Sequence, residues 1–232
     1  MPADRSAILF PVREEEPMDV KTLWYSGSVS DWYERLLLYY HMPSVVGNYP
    51  LELQLEMLKP EDVEAMTAEQ FYDFLYSKYY VWKFTYCSAL QGNRTKLEKY
   101  KTEGMEPLGD INNRVFALYE ESPKDTESLI KEVAQIFGMA AAAGSGLLSI
   151  LFPDYYGTID CFAVESLQKV GLEEAQRMNP KSLTITDAVV LEDIYRNKAR
   201  ELNSSFGGNY WTPRRIDMVL WAYGRSKCRE EI

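Results

Sequence analysis

Apolar positions along the chain recur mainly at helical spacing. Leu129, Ile130, Val133, Ile136 and Phe137 fall on one face at intervals of three and four residues. Trp32, Leu36 and Leu37 repeat the pattern near the start, and Ile216, Val219, Leu220 and Tyr223 repeat it near the end. No segment sustains the period-two alternation of a half-buried strand, so the expected fold is all-α.

Capping residues set the expected boundaries. Ser30-Asp31 suits a helix start that runs to about 41, and a short helix is expected after Pro50 to about 58. Thr67 and Gln70 have the spacing of a capping box, opening a helix to about 80. Ser122-Pro123 suits the next start, with Gly138 as its stop. A second helix is expected over 140–152, stopped by Pro153-Asp154, and a third from near Asp160 to Gly171. Asn179-Pro180 marks a loop. A long helix over about 187–202 follows, and Thr212-Pro213 opens the last, which ends at Gly224. Residues 1–20 read as an irregular arm with one short apolar run, Ala7 to Phe10. Residues 21–232 read as a single helical domain.

Composition adds limits rather than identity. At 232 residues, 46% hydrophobic and 26% charged, the chain can bury a core without disulfides. Its three cysteines, Cys87, Cys161 and Cys228, lie too far apart for a zinc or iron–sulfur cluster, and they fit a reducing compartment. His41 is the single histidine, which excludes a multi-histidine metal site. No apolar run is long enough to span a bilayer, and acidic residues near the N-terminus argue against a signal peptide. A cytoplasmic protein is expected. The net charge of −10 is uneven: residues 191–232 carry eight Lys/Arg against six Asp/Glu. Contact with a polyanion should therefore be local and lie toward the C-terminal part.

The most informative stretch runs from Ile136 to Asp160. A helix ends at a glycine turn, Gly138-Met139-Ala140, and a helix of small residues follows. A turn, Phe152-Pro153 to Thr158, then delivers Ile159-Asp160 to the start of a third helix. Asp160 lies 22 positions after Gly138. This arrangement resembles the hairpin and catalytic aspartate of the helix-hairpin-helix DNA glycosylases, over residues 125–170. The resemblance implies a two-lobed helical domain whose cleft holds a flipped nucleotide. It implies DNA contact at Gly138, Met139 and Ala140, with Asp160 supporting N-glycosidic cleavage. Two positions depart from the pattern. Ala140 replaces the second hairpin glycine, and Ala142 stands where the strand-cleaving members carry a Schiff-base lysine. The resemblance therefore implies a monofunctional enzyme recognising damaged or modified DNA, without metal or organic cofactor. The alternative is a non-catalytic DNA-binding or protein-interaction module on the same scaffold, with a protein partner.

Individual residues keep two readings. Asp160 is a candidate catalytic carboxylate and also a favourable helix N-cap. Gly138 is a hairpin glycine or a helix C-cap. Gly144, Ser145 and Gly146 suit close helix packing. Aromatics crowd residues 71–86, interleaved with Lys78 and Lys83. They read as core, or as a stacking surface with Tyr80, Trp82 and Lys83 on the rim of a nucleotide pocket. The basic stretch Asn93 to Lys101 reads as a solvated helix face. Arg214 and Arg215 fall in a first helical turn, where the helix dipole disfavours cations, so each should have a partner: a phosphate or an acidic side chain.

Overall fold

Asp19 opens the first helix. Its carboxylate accepts the N–H groups of Lys21 and Thr22 and caps α1 (Val20–Ser26). The structure is a computed structural model that describes residues 18–227. Most of the expected arm, with its Ala7–Phe10 run, lies outside the described residues, as does Cys228. Ser28 and Asp31 form a reciprocal capping box on α2 (Val29–His41), so Asp31 lies within the first turn rather than before it. Three short helices follow: α3 (Pro43–Val46), α4 (Tyr49–Glu56) and α5 (Pro60–Glu64). Each has a proline in its first turn, where the missing N–H costs nothing.

Thr67 and Gln70 form the expected capping box on α6 (Ala68–Phe74). That helix continues through a π-helical turn, Leu75–Tyr79, into α7 (Tyr80–Lys83). Then come α8 (Cys87–Leu97), α9 (Lys99–Glu103) and α10 (Glu106–Glu121). Pro107 and Gly109 obscure α10 in the sequence, yet Leu108, Ile111, Val115 and Phe116 make it a buried face. Ser122 ends α10, and Asp125 is the cap that starts α11 (Thr126–Val133). α11 stops five residues before Gly138. α12 (Ala141–Leu151), α13 (Cys161–Val170) and α14 (Glu173–Gln176) follow, and α13 ends on left-handed Gly171 as expected. Thr184 and Asp187 form a capping box on α15 (Ile185–Phe206). α16 (Pro213–Lys227) passes through Gly224 instead of ending there. A side chain at Gly224 would meet Phe162, so this glycine permits close packing of α16 on α13. The described residues contain no strand.

The two ends of the chain pack together. α1 and α2 lie against α13 and α16, and α15 packs along α16. The middle of the chain, α5 to α12, forms a second group in which α10 packs on α6 and α11, and α11 on α12. α11 and α12 join the groups by packing on α15, and α12 also reaches α16. One buried cluster runs through both groups. Within it Leu129, Ile130 and Val133 are fully buried, each worth about 1.5–3 kcal/mol of transfer free energy. Trp32 stacks edge-on at 5.5 Å from Trp211, tying α2 to the loop before α16. Lys198, almost wholly buried on α15, donates to the Trp24 carbonyl and to Glu201 Oε1, and so pins α1. No described helix is long and apolar enough to cross a membrane.

Candidate functional site

Between α11 and α12 the chain turns through Ala134 to Ala140. Gly138 has φ +86°, a conformation that favours glycine, and a Cβ there would lie 2.8 Å from the Asn93 carbonyl oxygen. Both the angle and the crowding select glycine. Met139 is buried and anchors the turn, while Ala140 and Ala142 are exposed. No side chain caps α12. The first turn of α12 thus lacks the side-chain acceptor that Asp125, Asp160 and Thr184 give to α11, α13 and α15. Lys99 lies with its ammonium 5.5 Å from the ring of Phe137, in the turn that precedes α12. The basic stretch read as a solvated face is therefore packed against the hairpin at Asn93 and Lys99, and Arg94 turns inward onto the Tyr76 carbonyl and ring.

From α12 the chain returns along its own helix. The Ile159 N–H donates to Ser145 Oγ at 2.9 Å, and Thr158 N–H donates to Asp217 Oδ2 at 3.0 Å. These bonds set Asp160 beside the middle of α12. Asp160 Oδ1 accepts the Phe162 N–H at 2.8 Å, so the residue does cap α13. Its side chain is also partly exposed and lines a cavity of about 380 Å³. Capping and cavity-facing roles coexist in one carboxylate.

The cavity sits at the seam of the two helix groups. Trp82 and Lys83 of α7, Glu52 of α4, Asp160, and Arg214, Asp217 and Trp221 of α16 all line it. Its size falls in the range of about 300–1,000 Å³ common to small-molecule sites. Aromatic faces from Tyr39, Trp82, Phe84, Tyr86, Phe162 and Trp221 surround the polar groups. The π turn helps build this wall. One extra residue in the turn rotates the succeeding helix by about 100°, separating buried Tyr79 and Tyr80 from cavity-lining Trp82 and Lys83.

One edge of the cavity is an ionic network, in which Asp217 Oδ1 is buried without a hydrogen-bond partner among the described residues. Arg214 donates to Asp217 Oδ2 at 2.9 Å, Glu52 Oε1 at 3.2 Å and the Tyr39 hydroxyl at 3.1 Å, and it lies 5.0 Å from the Trp82 ring centre. Glu52 also accepts from Tyr39 at 2.9 Å and from Trp82 Nε1 at 2.6 Å. Burial pushes the Asp217 carboxyl up to about 6, against the opposing pull of Arg214 and the Thr158 N–H. Nearby Glu192 is fully buried, accepts the Gly157 N–H at 2.9 Å, and has its pKa raised by that burial. Lys83 differs from these groups. Among the described residues its ammonium has no hydrogen bond or ion pair. Burial lowers its pKa and Arg214 adds to the effect, while Asp160, Asp217 and Cys161 oppose it.

No protein-family model matches the chain, and no curated protein or solved structure matches it. The reading of the site therefore rests on its geometry.

The structure brings Asp160, Trp82, Lys83 and Arg214 into one cavity and leaves other candidates outside it. Tyr80, expected on the pocket rim, is fully buried, and its hydroxyl donates to the Phe137 carbonyl at 2.8 Å. It supports the hairpin from beneath. Arg214 finds acidic partners inside the cavity, one of the two options its position in the first turn required. Arg215 stacks 4.0 Å from the Tyr210 ring centre and donates to the Tyr210 carbonyl. Neither arginine stands at the hairpin turn. Glu52, Tyr39 and Asp217 escaped the sequence reading. Their sequence positions, 39, 52 and 217, give no local spacing to link them. Burial of a carboxylate is visible only once the fold brings Arg214 to it.

Proposed function

We propose that the protein is a DNA-binding protein of the helix-hairpin-helix glycosylase type, acting on damaged or modified DNA by N-glycosidic hydrolysis at Asp160. The observation that carries this reading is the pairing of an uncapped hairpin helix with a partly exposed carboxylate in an aromatic cavity at a two-group seam. The uncapped first turn of α12 and the positive φ at Gly138 suit a phosphate oxygen, and Lys99 brings positive charge to Phe137 in the same turn. Such a local grip is what an acidic chain needs. A nucleotide turned out of the duplex would place its base among the cavity aromatics. Asp160 Oδ1 is held by the Phe162 N–H, so the carboxylate is oriented before substrate arrives. It can stabilise positive charge developing at C1′ as the base departs, or orient the attacking water. A non-catalytic module on this scaffold is the second reading. It is favoured by Ala140 in place of the second hairpin glycine and by the cap that Asp160 provides to α13.

The test is base release from duplexes that each carry one alkylated, oxidised or deaminated base, scored by strand scission in hot alkali. The wild type is expected to release at least one of these bases, and Asp160→Asn none. Binding to damaged duplex without release of any base supports the second reading.

A further inference from the structure

The exposed apolar side chains are gathered rather than scattered. Among the described residues, nine of the eleven exposed large apolar side chains fall between Tyr25 and Met57. A tenth, Tyr210, joins them through a ring contact of 4.8 Å with Tyr33. On α2, Val29, Tyr33 and Leu37 recur every four residues, and Tyr40 follows three after Leu37. On α4, Tyr49 and Leu53 recur in the same way, Met57 continues the row at the C-cap, and Glu56 follows three after Leu53. The two rows meet where the Tyr40 ring lies 6.4 Å from that of Tyr49 and the Tyr40 hydroxyl donates to Glu56 Oε1 at 2.6 Å. Side chains at these spacings share a helix face, so the rows form one surface across α2 and α4. A contiguous exposed apolar patch of this kind marks an interaction site.

The same surface is acidic. Residues 28–65 carry seven Asp/Glu against Arg35 and Lys59, and of the seven only Glu52 is ion-paired among the described residues. Glu56 stands in the last turn of α4, where the helix dipole disfavours an anion. Beside it the α4 row opens into a second cavity, of about 310 Å³, with Leu55, Met57, Ile150 and Met218 among its apolar walls. Glu56 and Asp154 line this cavity too, and the Asp154 carboxylate has no hydrogen bond or ion pair among the described residues. The two arginines that reach it are already engaged: Arg214 with Glu52 and Asp217, Arg215 with the ring and carbonyl of Tyr210.

We propose that the α2–α4 face docks a basic amphipathic helix of a partner protein. The apolar stripe of that helix lies along Leu37, Tyr49 and Leu53, which offer anchors at the spacing of a helix laid into a groove. One of its lysines or arginines enters the cavity lined by Glu56 and Asp154. A long basic side chain suits this cavity, because its aliphatic stem packs on Leu55 and Met57 while its charge meets the carboxylates. The charge of the face selects such a partner and repels an anionic membrane or a nucleic acid. The proposal uses neither the hairpin nor Asp160 and stands apart from the DNA reading.

The experiment is fluorescence anisotropy on the full chain, with a labelled synthetic helix of leucine and lysine at amphipathic spacing as the probe. A leucine–glutamate helix of the same pattern is the comparison. The expected result is binding of the lysine helix at micromolar protein in about 150 mM salt, and no binding of the glutamate helix. Leu53→Ser and Glu56→Gln should each weaken the lysine helix about tenfold, while Glu69→Gln on α6 leaves it unchanged. Leu53 is exposed, and the Glu56→Gln amide still accepts from Tyr40, so both variants should melt with the wild type. Equal binding by wild type and these two variants means charge attraction alone and overturns the proposal, as does absence of binding. A concentration-dependent dimer in light scattering that Leu53→Ser dissolves assigns the face to a second copy. Pelleting with phosphatidylcholine vesicles that Leu53→Ser abolishes assigns it to a lipid surface. Either result also overturns the proposal. No readout involves DNA, so failure here leaves the glycosylase reading untouched, and failure of that reading leaves this one.

Discussion

The cavity has two edges that differ in how their charged groups are paired, although Asp217 Oδ1 on the paired edge is itself buried without a hydrogen-bond partner among the described residues. Around Arg214, Glu52 and Asp217 the charged groups bond one another and Tyr39, Trp82 and Thr158. Around Asp160 and Lys83 the groups face the cavity, and the only bonds to the Asp160 side chain among the described residues come from its own helix turn. Buried charges must be paired, so the first edge is what holds α4, α7 and α16 in register. The second edge contributes few side-chain bonds to the fold among the described residues. The difference places the ion pairs of the fold on one side of the cavity and the groups left facing it on the other.

Removing the centre of the ion-paired edge gives the largest expected effect. Arg214→Met leaves Glu52 and Asp217 buried without their cation and should cost about 3–5 kcal/mol in urea unfolding. A loss below about 1 kcal/mol, the range of exposed ion pairs, would erase the distinction between the edges.

Asp217 sharpens the same edge through pH. Its unfolded carboxyl titrates near 3.8, while the folded one holds its proton up to about 6. Between these values the folded state binds more protons, so raising the pH through this window lowers stability. Asp217→Asn has no such titration. The stability of the variant relative to wild type should rise from pH 4 to pH 6 by on the order of 1–3 kcal/mol, and then level off. Melting curves across this range check the direction. A flat difference would mean that Asp217 is ionised throughout.

The open edge should barely register in stability. Asparagine caps a helix about as well as aspartate, so Asp160→Asn should unfold within about 0.5 kcal/mol of wild type, whereas Asp160→Ala loses the cap and about 1 kcal/mol. A larger loss in the asparagine variant would move Asp160 to the structural side.

The contrast also explains what the sequence revealed. Local signals read well: the Thr67 box, the Asp160 start and the Gly171 stop all act within four residues of chain. The extension of α16 through Gly224 did not, because its cause is a contact with Phe162 on another helix. The start of α11 was displaced because Ser122 and Asp125 are both competent caps, and α10 claimed Ser122 as its end. Within the site, Asp160 stood out because it lies near the hairpin in sequence. The Lys83 environment and the Glu52–Arg214 pair are long-range, and Tyr80 could be placed in core or rim until the π turn fixed its direction. Lys99 read as solvated, because only the fold puts Phe137 beside it.

The central claim is that the uncapped end of α12 grips a DNA phosphate. It is tested most directly by low-salt binding to a duplex with an abasic analogue, against the undamaged duplex, for wild type and Ala142→Glu. A carboxylate in the exposed first turn of α12 favours the helix dipole but repels a phosphate, so this change separates folding from binding. The account predicts that wild type prefers the analogue, and that Ala142→Glu binds it about tenfold more weakly, near 1.4 kcal/mol, without loss of thermal stability. Equal affinity of wild type and Ala142→Glu, or no binding by wild type at micromolar protein, would contradict it.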